Sequence, residues 1–134
     1  MAVSISEFTR FAIVQEDNCL NGANMTKYAY GPCRVTAIHA WNQDAGAPGP
    51  NFLKMFDNAD PTWGTTAPDF SFPIPAGEGG TGEFGSLNLD FHDEPLVFEN
   101  GLSLGADDAG GTATGTAPSA NDVLVVLEIL PGAS

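Results

Sequence analysis

The sequence predicts an all-β protein: an antiparallel β-sandwich, jelly-roll-like, with about eight strands and an N-terminal arm. Two observations favour this class. The 134 residues include 16 glycines and 10 prolines, and no long apolar stripe with a helical period survives between them. Short apolar stretches recur instead between turn residues, a spacing typical of sandwiches and barrels. An immunoglobulin-type sandwich fits the same spacing, which does not fix the topology.

The predicted strands lie in short stretches along the whole chain. In chain order these stretches are 3–15, 33–42, 51–58, 69–75, 83–91, 95–105 and 122–130. Residues 1–15 are interpreted as an N-terminal arm or strand, and 16–134 as a single sandwich domain. Turn residues dominate 16–32, and a low-complexity Gly/Ala/Thr run fills 105–121, so both are read as loops. The stretch 95–105 is long enough for a hairpin that turns at Glu-Asn-Gly.

The stretch DFSFPIP (69–75) is predicted to be an edge strand. Its apolar residues alternate as in a half-buried strand, yet Pro73 and Pro75 cannot donate hydrogen bonds to a neighbour. Because residues i and i+2 direct their N–H groups to the same side, the two prolines block only one edge. We therefore expect this strand to have a partner on one side only.

Several strands carry apolar residues on both faces. In a lone two-layer sandwich, by contrast, one face of each strand is exposed to water. Simple alternation places Val35 and Trp41 on one face of their strand and Ile38 on the other. It places Phe52 and Phe56 on the face opposite Leu53 and Met55. In 122–130 the odd-numbered apolar residues lie on one face, and Leu124, Val126 and Leu130 lie on the other. The second face must be covered, so we predict subunit contacts and favour a homotrimer. The candidate interface residues are Phe8, Phe11, Ile38, Leu53, Met55, Trp63, Leu124 and Val126.

The charge is strongly negative. Seventeen acidic residues face four basic ones, for a formal net charge of -13. Such a surface repels nucleic acid and anionic membranes, and no run approaches the roughly 18 apolar residues of a membrane helix. The first residues lack the pattern of a secretory signal. We expect no nucleic-acid or membrane partner and synthesis in a reducing cytoplasm.

The two cysteines, Cys19 and Cys33, do not have the spacing of a zinc site. A disulfide between them would close a loop of about 15 residues and stabilise the fold by about 3 kcal/mol in the chain-entropy model. The alternative is two free, partly buried thiols, which suits a reducing compartment.

No constellation of residues predicts catalysis, a cofactor or a metal. His39 lies in the middle of a predicted strand, where a histidine is usually packed. His92 has three acidic neighbours, but a single element rarely encloses an ion. The chain has no nucleophile elbow and no Walker A sequence. A small enzyme would need His39 or His92 in a pocket beside an acid, and a carbohydrate-binding module would need Trp63, Tyr28 or Tyr30 on the surface.

A series of short motifs runs from Gly31 to Gly77, and one further motif follows later in the chain. In order, these are Gly31 with Arg34-Val35, His39-Ala40-Trp41-Asn42, Leu53-Lys54-Met55-Phe56-Asp57, Pro61-Thr62-Trp63-Gly64-Thr65, Pro73-Ile74-Pro75-Ala76-Gly77 and the stretch VFENGLSL. This order resembles a pattern in small virion-associated proteins of tailed bacteriophages. The first 30 residues lie outside it, and it does not account for the cysteines.

The resemblance implies a non-enzymatic head-decoration (cement) protein. Such a protein would be synthesised in the host cytoplasm and would then bind the outer face of the major capsid protein shell. Segment 1–15 would be an anchoring or swapping arm. The alternative that the resemblance leaves open is a head-fibre or tail component that binds a carbohydrate or a receptor.

Overall fold

The structure is a computed structural model, and it describes residues 12–28, 32–43, 50–77 and 84–133. Phe8, Phe11 and most of the predicted arm lie outside these residues. Apart from one 3-10 turn, Gly22–Asn24, the regular structure in these ranges is β-strand. No helix in the same ranges has the length and apolar character needed to cross a membrane.

Nine strands form in the described part of the chain. They are β1 (Ala12–Glu16), β2 (Thr26–Tyr28), β3 (Cys33–Asn42), β4 (Asn51–Asp57), β5 (Phe70–Ile74), β6 (Gly85–Asp90), β7 (Leu96–Phe98), β8 (Leu102–Asp107) and β9 (Val123–Pro131). Sheet A has the order β1-β9-β3-β6, and β7 also pairs with β3. Sheet B has the order β2-β8-β4-β5. The predicted antiparallel β-sandwich is confirmed.

The antiparallel pairs join strands that lie far apart in the chain as well as neighbours. β4 pairs with β5 and β8, β3 with β6, β7 and β9, β2 with β8, and β1 with β9. The pairs β1–β9, β2–β8 and β3–β9 bring strands from the two halves of the described chain together. The expected jelly-roll-like topology stays a prediction.

The core lies between the two sheets and follows the alternation of the strands. In β9 the odd-numbered residues from Val123 to Ile129 are at most 1% exposed, whereas their even-numbered neighbours are half-buried on the outer face. In β4, Leu53 and Met55 point inward. In β6, Leu87 and Leu89 pack against the core from its edge, as predicted. Alternation of this kind is what a sheet with one packed face imposes on its strands.

A β-bulge corrects the predicted faces of β3. The register against β9 shifts between Val35 and Ala37, so Thr36 is the extra residue. Because the bulge reverses the alternation beyond it, Val35 and Ile38 both point into the core and are fully buried. The expectation that these two residues occupy opposite faces was wrong.

Strand β5 lies at the end of sheet B and pairs with β4 alone among the described strands. Its position confirms the edge strand that was predicted from the two prolines. Phe70 and Phe72 pack against the core, and Ile74 is fully buried.

The predicted hairpin within 95–105 does not form. β7 pairs with β3 in sheet A, whereas β8 lies between β2 and β4 in sheet B. The chain therefore crosses from one sheet to the other at Glu99–Gly101 and does not turn back on itself. Gly101 has a φ of 135°, in a region that glycine adopts far more readily than other residues.

Candidate functional site

The outer face of sheet B is covered by the chain's own loops. Phe56 is buried beneath Trp63, with the two ring centroids 5.8 Å apart. The Trp63 ring lies directly over Gly105 of β8, where a Cβ atom would come within 2.5 Å of the ring. Phe52 contacts Gly110 of the loop that follows β8. These contacts leave little apolar surface for a partner on this side.

A buried ion pair fixes the same loop to the sheet. Lys54 Nζ lies 3.1 Å from Asp107 Oδ1, and the two side chains are 2% and 0% exposed. The lysine also donates a hydrogen bond to the Ala113 carbonyl at 2.6 Å. Asp107 accepts hydrogen bonds from the indole N–H of Trp63 and from the backbone N–H of Gly115, at 3.1 and 2.8 Å.

The electrostatics of Asp107 follow from these contacts. Burial alone would raise its pKa. The backbone N–H groups of Gly115 and Ala109 and the ammonium of Lys54 more than offset burial, so its pKa lies below the ordinary range. Because the pair is buried and its hydrogen bonds join the loop after β8 to the sheet, we interpret it as a structural clamp.

The outer face of sheet A is different, because apolar side chains remain partly exposed there. Trp41 lies opposite Leu124, and Val126 occupies the next outward position on β9. All three are half-buried, and Ile13 on the adjoining edge strand is 55% exposed. We call these four residues the sheet A patch. Leu124 and Val126 were predicted interface residues, and they lie in this patch.

Both histidines lie beside the patch. His39 Nδ1 is 2.9 Å from Asn88 Oδ1. His92 forms a short hydrogen bond from Nδ1 to the Asp90 carboxylate, and its Nε2 lies 3.7 Å from Glu128 Oε2. The hydrogen bond to Asp90 is the main reason that the pKa of His92 is raised. Neither histidine is packed away in the core.

An open groove of about 550 Å³ lies between the end of β6 and β7. We call it the β6–β7 groove. Its lining residues are Phe70, Asp90, Phe91, His92, Asp93, Glu94, Pro95, Leu96 and Val97. A smaller pocket of about 170 Å³ is also lined by His92 and Asp90, and it includes His39 and Glu128.

The two pockets are lined by apolar, acidic, amide and imidazole side chains. The described residues that line them include no Ser, Thr, Cys or Lys side chain that could act as a nucleophile beside His92. Within the described ranges, no group of three or more His, Cys, Asp or Glu side chains is placed to hold a metal ion. What the site offers is apolar surface, acidic groups and a histidine that titrates.

The prediction of an interface role was wrong for three residues. Ile38, Leu53 and Met55 are fully buried in the core of the single chain. The bulge turns Ile38 inward, and ordinary alternation turns Leu53 and Met55 inward. Trp63 covers sheet B within its own chain, and Phe8 and Phe11 lie outside the described residues.

The aromatic platform expected of a carbohydrate-binding module does not form in the described residues. Tyr28 is 3% exposed. Trp63 is half-buried, and Lys54 Nζ lies 4.8 Å from its ring centroid. Tyr30 lies outside the described residues. Trp63 also lines a pocket of about 280 Å³ beside the exposed ion pair of Lys27 and Asp60.

The two cysteines are free and buried, so the structure does not contain the possible disulfide between Cys19 and Cys33. Both belong to the core cluster. Burial raises the pKa of the Cys33 thiol to about 12, and it raises the pKa of the Cys19 thiol as well. Thiols in such surroundings remain protonated and unreactive at neutral pH.

The chain matches no family model, no curated protein and no solved structure. Fold and site together define an acidic, all-β sandwich with an apolar patch on one outer face.

Proposed function

We propose that this chain is a non-enzymatic bacteriophage virion protein, a capsid decoration (cement) protein that binds the outer face of the major capsid protein shell and stabilises it. The observation that carries the proposal is the difference between the two outer faces. Sheet B is covered by Trp63 and the loop after β8, whereas the sheet A patch keeps apolar residues partly exposed. On a chain with a net charge of -13, an exposed apolar patch favours contact with another protein.

The resemblance of the motifs between Gly31 and Gly77 to those of small phage virion proteins supports the same proposal. The two pockets support it as well, because their linings offer apolar surface and carboxylates that a partner protein could contact. Nothing in the arrangement of Tyr28 and Trp63 favours a carbohydrate site.

The mechanism would be multivalent clamping. Each subunit would contribute a modest apolar interface, and a homotrimer would engage several capsid subunits at once. Linked contacts of this kind raise the overall affinity by about 10²- to 10⁴-fold without any new contact. The residues that precede β1 would serve as the anchoring or swapping arm, because β1 itself is held in sheet A by β9.

The experiment tests the patch with purified protein and capsid shells from the same phage. Val126→Asp places an acid in the patch. Thr112→Asp adds the same charge at an exposed position of the loop after β8. We expect wild type and T112D to co-sediment with shells and to raise the temperature at which filled capsids burst. V126D should lose both effects while keeping the wild-type circular dichroism spectrum.

The mass of the protein in solution distinguishes self-association from contact with the capsid. Light scattering should give a trimer that V126D dissociates. A monomer of 13.9 kDa at micromolar concentration would leave the capsid as the partner and exclude self-association. Absence of the protein from purified particles, together with no binding to shells, would contradict the proposed function.

A further inference from the structure

The β6–β7 groove is a second contact surface, on the side of the sandwich and separate from the sheet A patch. We propose that it binds a basic segment of a partner protein, with an arginine side chain seated in the groove. This inference goes beyond capsid decoration, because it names the chemistry of the segment and does not depend on where the partner resides.

The floor of the groove is apolar and firmly supported. Phe70 packs edge-on against buried Phe98 at 5.7 Å, and its ring stacks with Phe72 at 6.0 Å. Phe91 lies 6.3 Å from Phe72 on the other side. Because these rings also pack on the core, the floor is preformed and binding requires little ordering of the protein.

The rim of the groove carries negative charge that the described part of the chain does not neutralise. Asp93 and Glu94 are exposed, and no described Lys or Arg pairs with them. The three described basic residues are engaged elsewhere: Lys27 with Asp60, Lys54 with Asp107, and Arg34 with the carbonyls of Pro131 and Gly132. His92, which also lines the groove, is hydrogen-bonded to Asp90 and lies near Glu128. A cation from outside would therefore complement Asp93 and Glu94.

An arginine fits this combination better than other cations. Its planar guanidinium can lie on an aromatic ring and donate hydrogen bonds to two carboxylates at once. Its aliphatic stem can lie along Pro95 and Leu96. A lysine offers the positive charge but not the planar stacking or the paired N–H donors. An acidic or neutral segment lacks the positive charge. The volume of about 550 Å³ accommodates one such side chain with its neighbours.

The test is a titration of the isotope-labelled full chain with three short probe peptides. The probes share the sequence Gly-Leu-X-Leu-Gly with blocked ends, and X is arginine, lysine or the uncharged isostere citrulline. The protein variants are Asp93→Asn with Glu94→Gln, and a control that also removes two charges, Asp17→Asn with Asp122→Asn. The control residues lie at the opposite end of sheet A, where Asp122 bonds to Gln43 through its backbone.

We expect the arginine probe to shift the amide signals of residues 91–97, the lysine probe to bind more weakly, and the citrulline probe not to bind. The D93N/E94Q variant should bind the arginine probe about five- to tenfold more weakly, because each exposed charge pair contributes a modest amount. The D17N/D122N control should change binding less than about twofold, since its charges lie far from the groove.

Three results would overturn the proposal. Equal binding of the arginine and citrulline probes would show that the groove does not recognise a cation. Equal loss in the two double variants would show attraction to net charge alone. Amide shifts confined to other residues would place the cation elsewhere. Each result leaves the capsid experiment with V126D unaffected, so the two proposals fail independently.

Discussion

The ammonium group of Lys54 lies 3.1 Å from the carboxylate of Asp107, and both side chains are buried beneath the loop that follows β8. Removing two charges from water costs several kcal/mol per ion, so such a pair is stable only when hydrogen bonds satisfy both groups. Here the Ala113 carbonyl, the Trp63 indole and two loop N–H groups do so. The pair thus makes a glycine-rich loop part of the folded structure.

Replacing Lys54 with methionine should destabilise the protein by about 3–5 kcal/mol, because Asp107 is left buried without its cation. Urea unfolding followed by tryptophan fluorescence measures the change. The double variant K54M/D107N should recover part of the loss, since no unpaired charge remains and the asparagine oxygen can still accept hydrogen bonds from the loop. Lys27→Met removes the exposed ion pair with Asp60 and should change the stability by less than about 1 kcal/mol. Equal effects of K54M and K27M would contradict the clamp.

The stability that Asp107 contributes should disappear in acid. Its pKa is lower in the folded protein than in the unfolded chain, so the unfolded state takes up the proton first as the pH falls. The contribution is therefore complete above the ordinary pKa of about 4 and is lost as the pH falls through the lower, folded value. Unfolding free energies of wild type and Asp107→Asn should converge below about pH 4. A gap that stays constant into strong acid would refute the assignment.

A side chain at Gly85 should disrupt the corner where β6 passes β5. A Cβ atom there would overlap the carbonyl oxygen of Pro75, and backbone cannot move aside as a flexible side chain can. We expect Gly85→Ala to cost about 2–4 kcal/mol, as severe overpacking does. Ser86→Ala, at the next and exposed position, is the control and should stay within about 0.5 kcal/mol of wild type. Thermal unfolding of both variants compares them directly.

The thiols of Cys19 and Cys33 should not react in the folded protein. Both are buried, and burial raises the pKa of each. A thiol reagent at neutral pH should therefore label neither residue until a denaturant is added, and then both. Intact mass under non-reducing conditions should correspond to two free thiols. A mass lower by two hydrogens, with no labelling after unfolding, would establish a disulfide instead.

The residues that alternate regularly made much of this fold predictable. The pattern in 122–130 indicated a strand with one deeply buried face, and Pro73 and Pro75 indicated an edge. The bulge at Thr36 could not be predicted, because threonine is a good strand former and the extra residue shows only against β9. Strand β2 was missed because its three residues lie in a turn-rich segment and pair with distant β8.

The candidate site was less predictable than the fold. Lys54 in the run Phe-Leu-Lys-Met-Phe could have indicated a buried ion pair, because a lysine inside an apolar strand is either exposed or paired. Its partner could not be predicted, because Asp107 lies far along the chain. The acidic neighbours of His92 were visible in sequence. The apolar floor beneath them was not, because Phe70 reaches the groove from another sheet. Side chains that meet only through tertiary packing leave no local pattern.

The position of β9 between β1 and β3 in sheet A sets the order in which the molecule can be made. Val14 pairs with Leu127, and Val35 with Ile129. While a ribosome is still translating the loop before β9, sheet A lacks its inner strand, and β1 lacks the one partner that it has among the described strands. The β1–β9–β3 part of sheet A should therefore assemble after synthesis has passed residue 131, and slowly, as non-local pairing requires. Ribosome-bound chains stalled before β9 should remain sensitive to protease.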